Sequence, residues 1–323
     1  IPPRFRKVNP HAAGALGQVY IARDLELRRK VALKEIKDAY ADNPDARSRF
    51  VLEAEITGRL EHPGVVPVYG MGTYANGRPF YAMRFIKGQS LADAIKEAHA
   101  PSLRPSERVL ELRKLLGRFV AVCNTMQYAH DRDIVHRDLK TSNIMLGAYG
   151  ETLVVDWGLA KVMGKSSADP NDTFADPMPA SAANETLPGR AIGTMNYMSP
   201  EQVVGSKNID HRSDLWAVGV VAYEMLHGRR LFKAVSAATS IQKIMAGDIQ
   251  PLYEANPAIT KEVSAAVMKA LARDPAIIGD RHRPTYFFVF FGTVERGGRA
   301  RDCAAFRVSF RCAWGFGPGG ATA

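Results

Sequence analysis

Apolar and polar positions alternate in short runs over the first part of the chain, and past Gly88 the apolar spacing becomes helical. Gln18 to Asp24 and Arg29 to Ile36 are rich in Val, Ile and Tyr and predict two strands, with Leu25 to Leu27 as a hairpin connection. Asp45 to Leu60 carries Phe50, Ala54 and Leu60 on one side and predicts a helix, which His62-Pro63-Gly64 ends. Val65 to Gly72 and Pro79 to Ile86 read as two more strands. Ser90 is the expected cap of a helix beginning at Leu91, and Glu107 to His130 keeps helical spacing without a proline. Loops with β-type ends are expected around His136 to Leu146 and Leu153 to Ala160, and helices at Leu215 to Leu226 and Ile259 to Ala272. The layout predicts an α+β chain, with a small β-rich part followed by a larger helical part.

Chemistry gathers where this pattern is interrupted. The run His11-Ala12-Ala13-Gly14-Ala15-Leu16-Gly17-Gln18-Val19 lies between β-type segments. Glycines there let a backbone approach phosphate oxygens without a Cβ in the way. Taken alone, the run is weak evidence and reads more readily as an ordinary turn. It gains weight from Lys34 in Val31-Ala32-Leu33-Lys34, because a lysine among apolar strand residues needs a partner. Glu53 or Glu55 on the following helix can supply one, and Glu53 is the better choice. Lys34 then clamps the α- and β-phosphates of a nucleotide; the bland reading is a surface pair on a strand edge.

The strongest signal is Ile134-Val135-His136-Arg137-Asp138-Leu139-Lys140-Thr141-Ser142-Asn143. Asp138 can accept or orient the proton of an acceptor hydroxyl, Lys140 can neutralise a moving phosphoryl group, and Asn143 can bind a metal. Phosphoryl transfer needs these parts, since its catalysis is mostly positioning and charge stabilisation. Asp156, in Val154-Val155-Asp156-Trp157-Gly158, supplies a second metal ligand, and Gly158 is expected to permit an unusual backbone angle.

These motifs, in this order, resemble the eukaryotic-type protein kinase family, and most closely the bacterial Ser/Thr kinases, from about Arg4 to Pro275. The resemblance implies a bilobal fold, with an N-lobe over about residues 1–86 and a C-lobe over about 87–279. It implies ATP and Mg²⁺ as cofactors, with the nucleotide held by the run His11 to Val19, Ala32, Lys34, Asp156 and the hinge. Met83 resembles the gatekeeper, and Arg84, Phe85 and Ile86 the hinge that hydrogen-bonds adenine. Asn143 and Asp156 are the implied metal ligands. Lys140 and Thr194 together point to Ser/Thr acceptors, and the implied partners are protein substrates, with self-association for autophosphorylation. Asp214-Leu215-Trp216 resembles the buried aspartate at the start of the long C-lobe helix. Ser199-Pro200-Glu201 resembles the end of an activation segment, which would run over 156–201.

Three small departures from the family's pattern remove no catalytic group: Ala12 for the first loop glycine, Trp157 for Phe, and Ser199 for Ala. A larger one follows Pro275, where the arginine expected to pair with Glu201 is missing from its place and Arg281 is the nearest substitute. The competing readings are a pseudokinase or signalling scaffold that binds without transferring, and, further off, a small-molecule phosphotransferase.

The segment Lys161 to Gly193 is expected to be mobile and to offer Ser166, Ser167, Thr173, Ser181 and Thr186 for phosphorylation, with Arg137 as the docking partner for the phosphate. Residues 280–323 contain neither Lys nor Leu but hold seven of the 14 Phe. They are expected to form an atypical tail outside the kinase fold and to add little to its stability.

Composition narrows the remaining classes. The chain has 323 residues, 46% hydrophobic and 24% charged, enough for one large domain. Its net charge of +10 is scattered along the chain, which argues against nucleic acid as the partner. Three cysteines without a CxxC pair argue against a disulfide framework and for a reducing compartment. No apolar run has the length of a membrane span. The expected location is cytoplasmic, either free or as the cytoplasmic part of a longer membrane-anchored protein.

Overall fold

A computed structural model describes residues 4–14, 16–163, 195–232 and 236–278. The N-terminal part is a five-stranded antiparallel sheet in the order β1-β2-β3-β5-β4, built from β1 (Phe5–Ala13), β2 (Gly17–Asp24), β3 (Arg29–Ile36), β4 (Val68–Thr73) and β5 (Pro79–Arg84). Strand register decides what each face carries. Val19 lies opposite Lys34 and Lys34 opposite Tyr81, while Ala32 lies opposite Met83. These residues share one face. Ala22, Val31, Leu33 and Ala82 share the other, where they pack together against Phe5, Tyr69 and Phe80.

Helix α1 (Pro44–Arg59) covers the first face. Asn43 caps it by accepting from the Ala46 N–H at 2.9 Å, and Pro44 takes the first helical position, where no N–H is missed. Its buried side places Phe50 against the Tyr81 ring, 5.4 Å between centroids, and turns Glu53 inward.

The C-terminal part is helical. Helix α2 (Leu91–Ala98) starts where the sequence predicts, with Ser90 Oγ accepting from the Asp93 N–H. Helix α3 (Pro105–His130) follows. Then come β7 (Ile134–Val135), β8 (Ile144–Gly147) and β9 (Thr152–Val154), with a 3-10 turn over Thr141–Asn143. Strand β6 (Gly88–Ser90) pairs with β8, and β10 (Lys161–Val162) pairs with β7.

The remaining helices are α4 (Pro200–Val203), α5 (His211–His227), α6 (Ala237–Ala246), α7 (Leu252–Ala255), α8 (Lys261–Ala270) and α9 (Pro275–Ile278). Helix α5 is buried on every side from Ser213 to Leu226, as a helix apolar all round must be. A Cβ on Gly219 would come within 2.9 Å of Ala270 Cβ, so the glycine sets how closely α5 and α8 approach. Phe119, Val122, Met126, Trp216 and Val220 are fully buried at the centre of this part.

Cys123 lies in the same core, and burial pushes its thiol up to about 12. Among the described residues no helix is long and apolar enough to cross a membrane. The architecture is the bilobal α+β fold that the sequence leads one to expect. Thr194, Ala15, Arg281, the acceptors Ser166 to Thr186 and the tail from residue 279 onward lie outside the described residues.

Candidate active site

The site lies between the sheet and the helical part. Lys34 is buried on β3 and pairs with Glu53 of α1, and its ammonium also lies 3.5 Å from Asp156. The choice of Glu53 over Glu55 is therefore the one the structure makes. Burial by itself would lower the pKa of Lys34, but Glu53, with Tyr81 and Asp156 behind it, outweighs burial and holds the ammonium well above the ordinary lysine range. The Tyr81 hydroxyl donates to Glu53 Oε1 at 2.8 Å. Sequence reasoning passed over Tyr81, although its position two before Met83 on one strand puts both on one face.

The glycine-rich run bends tightly, with the Gly14 N–H donating to Gly17 O at 2.8 Å. His11, Ala12 and Ala13 end β1, while Gly17, Gln18 and Val19 begin β2. Gln18 donates to Ala12 O at 2.8 Å, and Leu16 packs on the core around Ile36, Phe50 and Tyr81. A Cβ on Gly17 would lie 2.8 Å from Lys34 Cε, so this glycine clears the path of the lysine. Lys37, which the sequence pattern did not single out, donates to Gly14 O at 2.6 Å and steadies the bend.

At the hinge, the Arg84 N–H is taken by Pro67 O, and the Arg84 side chain reaches Glu151 of the β8–β9 turn. The Phe85 ring meets the His11 ring edge-on, 5.3 Å between centroids. Ala32 and Met83 are opposed across β3 and β5.

The loop after β7 is held by one buried carboxylate. Asp214, near the start of α5, accepts from the His136 N–H at 2.7 Å, the Arg137 N–H at 2.8 Å and His130 Nε2 at 2.8 Å. Burial pushes Asp214 up, but the His130 hydrogen bond and the other donors outweigh it and set its pKa below the ordinary range. These bonds hold Arg137 at φ +64°, a left-handed backbone that non-glycine residues rarely adopt.

Next in the chain, Asp138 Oδ2 accepts from Lys140 Nζ at 2.6 Å, and Asn143 Nδ2 donates to Asp138 O at 3.0 Å. Asp138 Oδ1 is buried and has no hydrogen-bond partner among the described residues. Burial raises the pKa of Asp138, against the opposing pull of Lys140. The Asp138 N–H donates to His136 Nδ1, so His136 carries its proton on Nε2, which donates to Val155 O at 3.3 Å.

Asp156 follows two residues after β9. Here the structure corrects the expectation for Gly158. The left-handed angle belongs to Asp156 itself, at φ +69°. Gly158 is needed for space instead, because a Cβ there would lie 3.1 Å from Glu53 Oε2. Burial would raise the pKa of Asp156, but Lys34 and Lys140 outweigh it and hold it below the usual carboxylate range. Trp157 fills a buried slot with its ring 4.5 Å from that of His136 and its N–H donating to Val154 O.

The donor chemistry can be tested against a metal. Among the described residues no three His, Cys, Asp or Glu side chains cluster as a metal group. Asp156 and Asn143 offer two hard oxygens. A few protein oxygens, completed by water and phosphate, suit Mg²⁺, which rarely takes an all-protein cage.

This constellation joins residues of the five-stranded sheet and α1 to residues of the loops after β7 and β9 in the helical part. The chain belongs to the protein kinase family, since the family's domain pattern matches residues 10–285. It is 32% identical over 288 residues to the "Serine/threonine-protein kinase PknD" of Chlamydia muridarum, a match spanning 84% of this chain and 30% of that protein. It is 36% identical over 281 residues to the protein of the same name from Chlamydia pneumoniae, with 84% and 29% covered. The Chlamydia caviae protein matches at 35% over 280 residues, with the same coverage. The chain thus spans about 30% of the length of the curated relatives it matches.

Proposed function

We propose that this chain transfers the γ-phosphoryl group of ATP to Ser and Thr hydroxyls of protein substrates, itself included. The observation that carries this reading is the buried Oδ1 of Asp138, without a hydrogen-bond partner among the described residues, with Oδ2 and the main chain of the same residue fixed by Lys140 and Asn143. An unsatisfied buried acceptor is costly, and a substrate hydroxyl would satisfy it. Burial also raises its pKa, which strengthens it as a proton acceptor.

In this proposal Lys34, held charged by Glu53, grips the α- and β-phosphates. Asp156 and Asn143 hold Mg²⁺, which neutralises phosphate charge. The run His11 to Val19 covers the nucleotide, and Ala32, Met83, Arg84, Phe85 and Ile86 line its base. The acceptor oxygen bonds to the γ-phosphorus as the bond to the β–γ bridging oxygen breaks; the acceptor proton passes to Asp138 and ADP leaves. Lys140, with Thr194, supports the acceptor side. We place the kinase domain at residues 1–279, and infer regulation through the acceptors between Ser166 and Thr186, with Arg137 as the docking partner.

The test is Asp138→Asn in the full chain, assayed with a generic basic protein and radiolabelled ATP. Transfer should fall roughly a hundred- to ten-thousandfold, the usual worth of a general base, while nucleotide affinity measured by direct titration stays unchanged. Equal transfer by both proteins would refute the reading. Nucleotide binding without transfer in the unsubstituted chain would favour the scaffold alternative.

A further inference from the structure

Gln202 lies in α4, the short helix at the end of the segment after Asp156, and joins two places far apart in the chain. Its Oε1 accepts from the Ser199 N–H at 3.0 Å and the Ser199 Oγ at 3.3 Å. Its Nε2 donates to the main-chain oxygen of Arg137 at 2.8 Å, across 65 positions of sequence. Both ends of one amide are thus used, and only an amide can accept on one side and donate on the other from this position.

Arg137 O belongs to the peptide group that leads into Asp138. On its other side the Arg137 N–H is held by Asp214 Oδ1 at 2.8 Å, and its Nε donates to Leu159 O at 2.6 Å. The residue itself stands at φ +64°. A backbone strained in this way keeps its angle only while its surroundings over-determine it. Asp214 fixes the peptide before the strained residue, and Gln202 fixes the peptide after it. The direction in which the Asp138 carboxylate leaves the chain follows from the second.

Ser199 gains a meaning here as well. In place of the alanine common at this position, it caps α4, with its Oγ accepting from the Gln202 N–H at 3.4 Å while Gln202 answers its N–H. The reciprocal box holds the Gln202 side chain in the rotamer that reaches Arg137.

We infer that Gln202 is a positioning residue for phosphoryl transfer: its amide makes the aim of Asp138 depend on an ordered end to the acceptor-binding segment. The inference rests on the transferase reading above. When Ser199 to Val203 is in place, the Arg137 peptide is pinned and Asp138 is aimed; when that turn loosens, the pin is withdrawn. An acceptor-side element therefore acts on turnover rather than on nucleotide binding.

Two substitutions in the full chain test it. Gln202→Glu keeps size and the acceptor toward Ser199, but sets a carboxylate oxygen against Arg137 O. Gln202→Ala removes the bonds at both ends of the amide. In Gln202→Glu, kcat should fall about tenfold or more, with nucleotide KM held within about twofold, the signature of misaimed chemistry over lost binding. Gln202→Ala should lose less than Gln202→Glu. A purely structural role predicts the reverse order, since Glu preserves the side-chain volume. A second readout needs no catalysis: amide hydrogen exchange across His136 to Lys140 should quicken in Gln202→Glu while α5 stays protected. Wild-type kcat with unchanged exchange would overturn the inference, as would a milder effect for Glu than for Ala. If the unsubstituted chain transferred no phosphate, the transferase reading would fail, and the exchange experiment would still decide whether Gln202 holds the loop.

Discussion

The loop that carries Asp138 and the glycine-rich run ahead of β2 are built on opposite plans. The loop from His136 to Asn143 is pinned from below by Asp214, which is fully buried and accepts from three donors, two of them main-chain N–H groups. The run from His11 to Val19 hangs from β1, a strand exposed along nearly its whole length and interrupted by two irregularities in its pairing with β2. Its bend is steadied by Lys37 reaching Gly14 O, by the Gly14–Gly17 bond and by Gln18 reaching Ala12 O, with no buried carboxylate beneath it among the described contacts of the run. The difference follows from the task each would have. Atoms that exchange a proton must be held to a fraction of an ångström, while a cover over phosphates must let nucleotide in and out.

The comparison breaks most visibly at Asp214. Asp214→Asn turns one acceptor oxygen into a donor facing N–H groups, and it should cost about 3–5 kcal/mol, the scale for breaking a buried charged network. Denaturant titration measures this directly. The sign with pH is fixed by its lowered pKa. The stabilisation is complete above the unfolded value, about 3.9, and is lost as pH falls through the lower folded value. Asp214→Asn should therefore flatten the acid limb of the stability profile.

A smaller effect is expected on the opposite side of the cleft. Gly17→Ala would place its methyl carbon 2.8 Å from Lys34 Cε and 3.0 Å from Lys34 Cγ, pushing the ammonium away from Glu53 and Asp156. Nucleotide affinity should fall roughly tenfold, the worth of one displaced charged hydrogen bond, with little change in melting temperature. Calorimetric titration separates the two.

The smallest effect sharpens the contrast. Ala12→Gly restores the residue the family usually has at the exposed end of β1. It should change stability by less than about 1 kcal/mol and turnover by no more than about twofold. A large loss there would mean that this loop is as tightly specified as the one below it.

How far the sequence was legible depended on the range of the interactions. Helix α1 was placed to within one residue, because its apolar spacing and the His62-Pro63-Gly64 stop after its end are local signals. Ser90 announced α2 for the same reason. Strand β1 had no period to read: it is exposed nearly throughout and contains Pro10. Helix α6 went unannounced, because its small and polar residues, such as buried Ser240, hide the apolar side.

At the site, the order of motifs brought forward Lys34, Glu53, Asp138, Lys140, Asn143 and Asp156, and the structure links Lys34 with Glu53 and Asp156, and Asp138 with Lys140 and Asn143. The partners that fix their geometry were not legible. Asp214 lies 78 positions from His136 and Gln202 lies 65 from Arg137, separations that no local pattern encodes. The left-handed angle was assigned to Gly158 because glycine is its usual bearer, whereas an aspartate held between charges bears it here.

Cys123 has a practical consequence. Burial pushes its thiol up to about 12, so the reactive thiolate is disfavoured at pH 7, and the side chain is buried in the core of the helical part. Alkylating reagents reach it only when that core opens. The rate of labelling at this one position is thus a built-in clock for the opening of the helical part, readable by mass spectrometry without adding a probe.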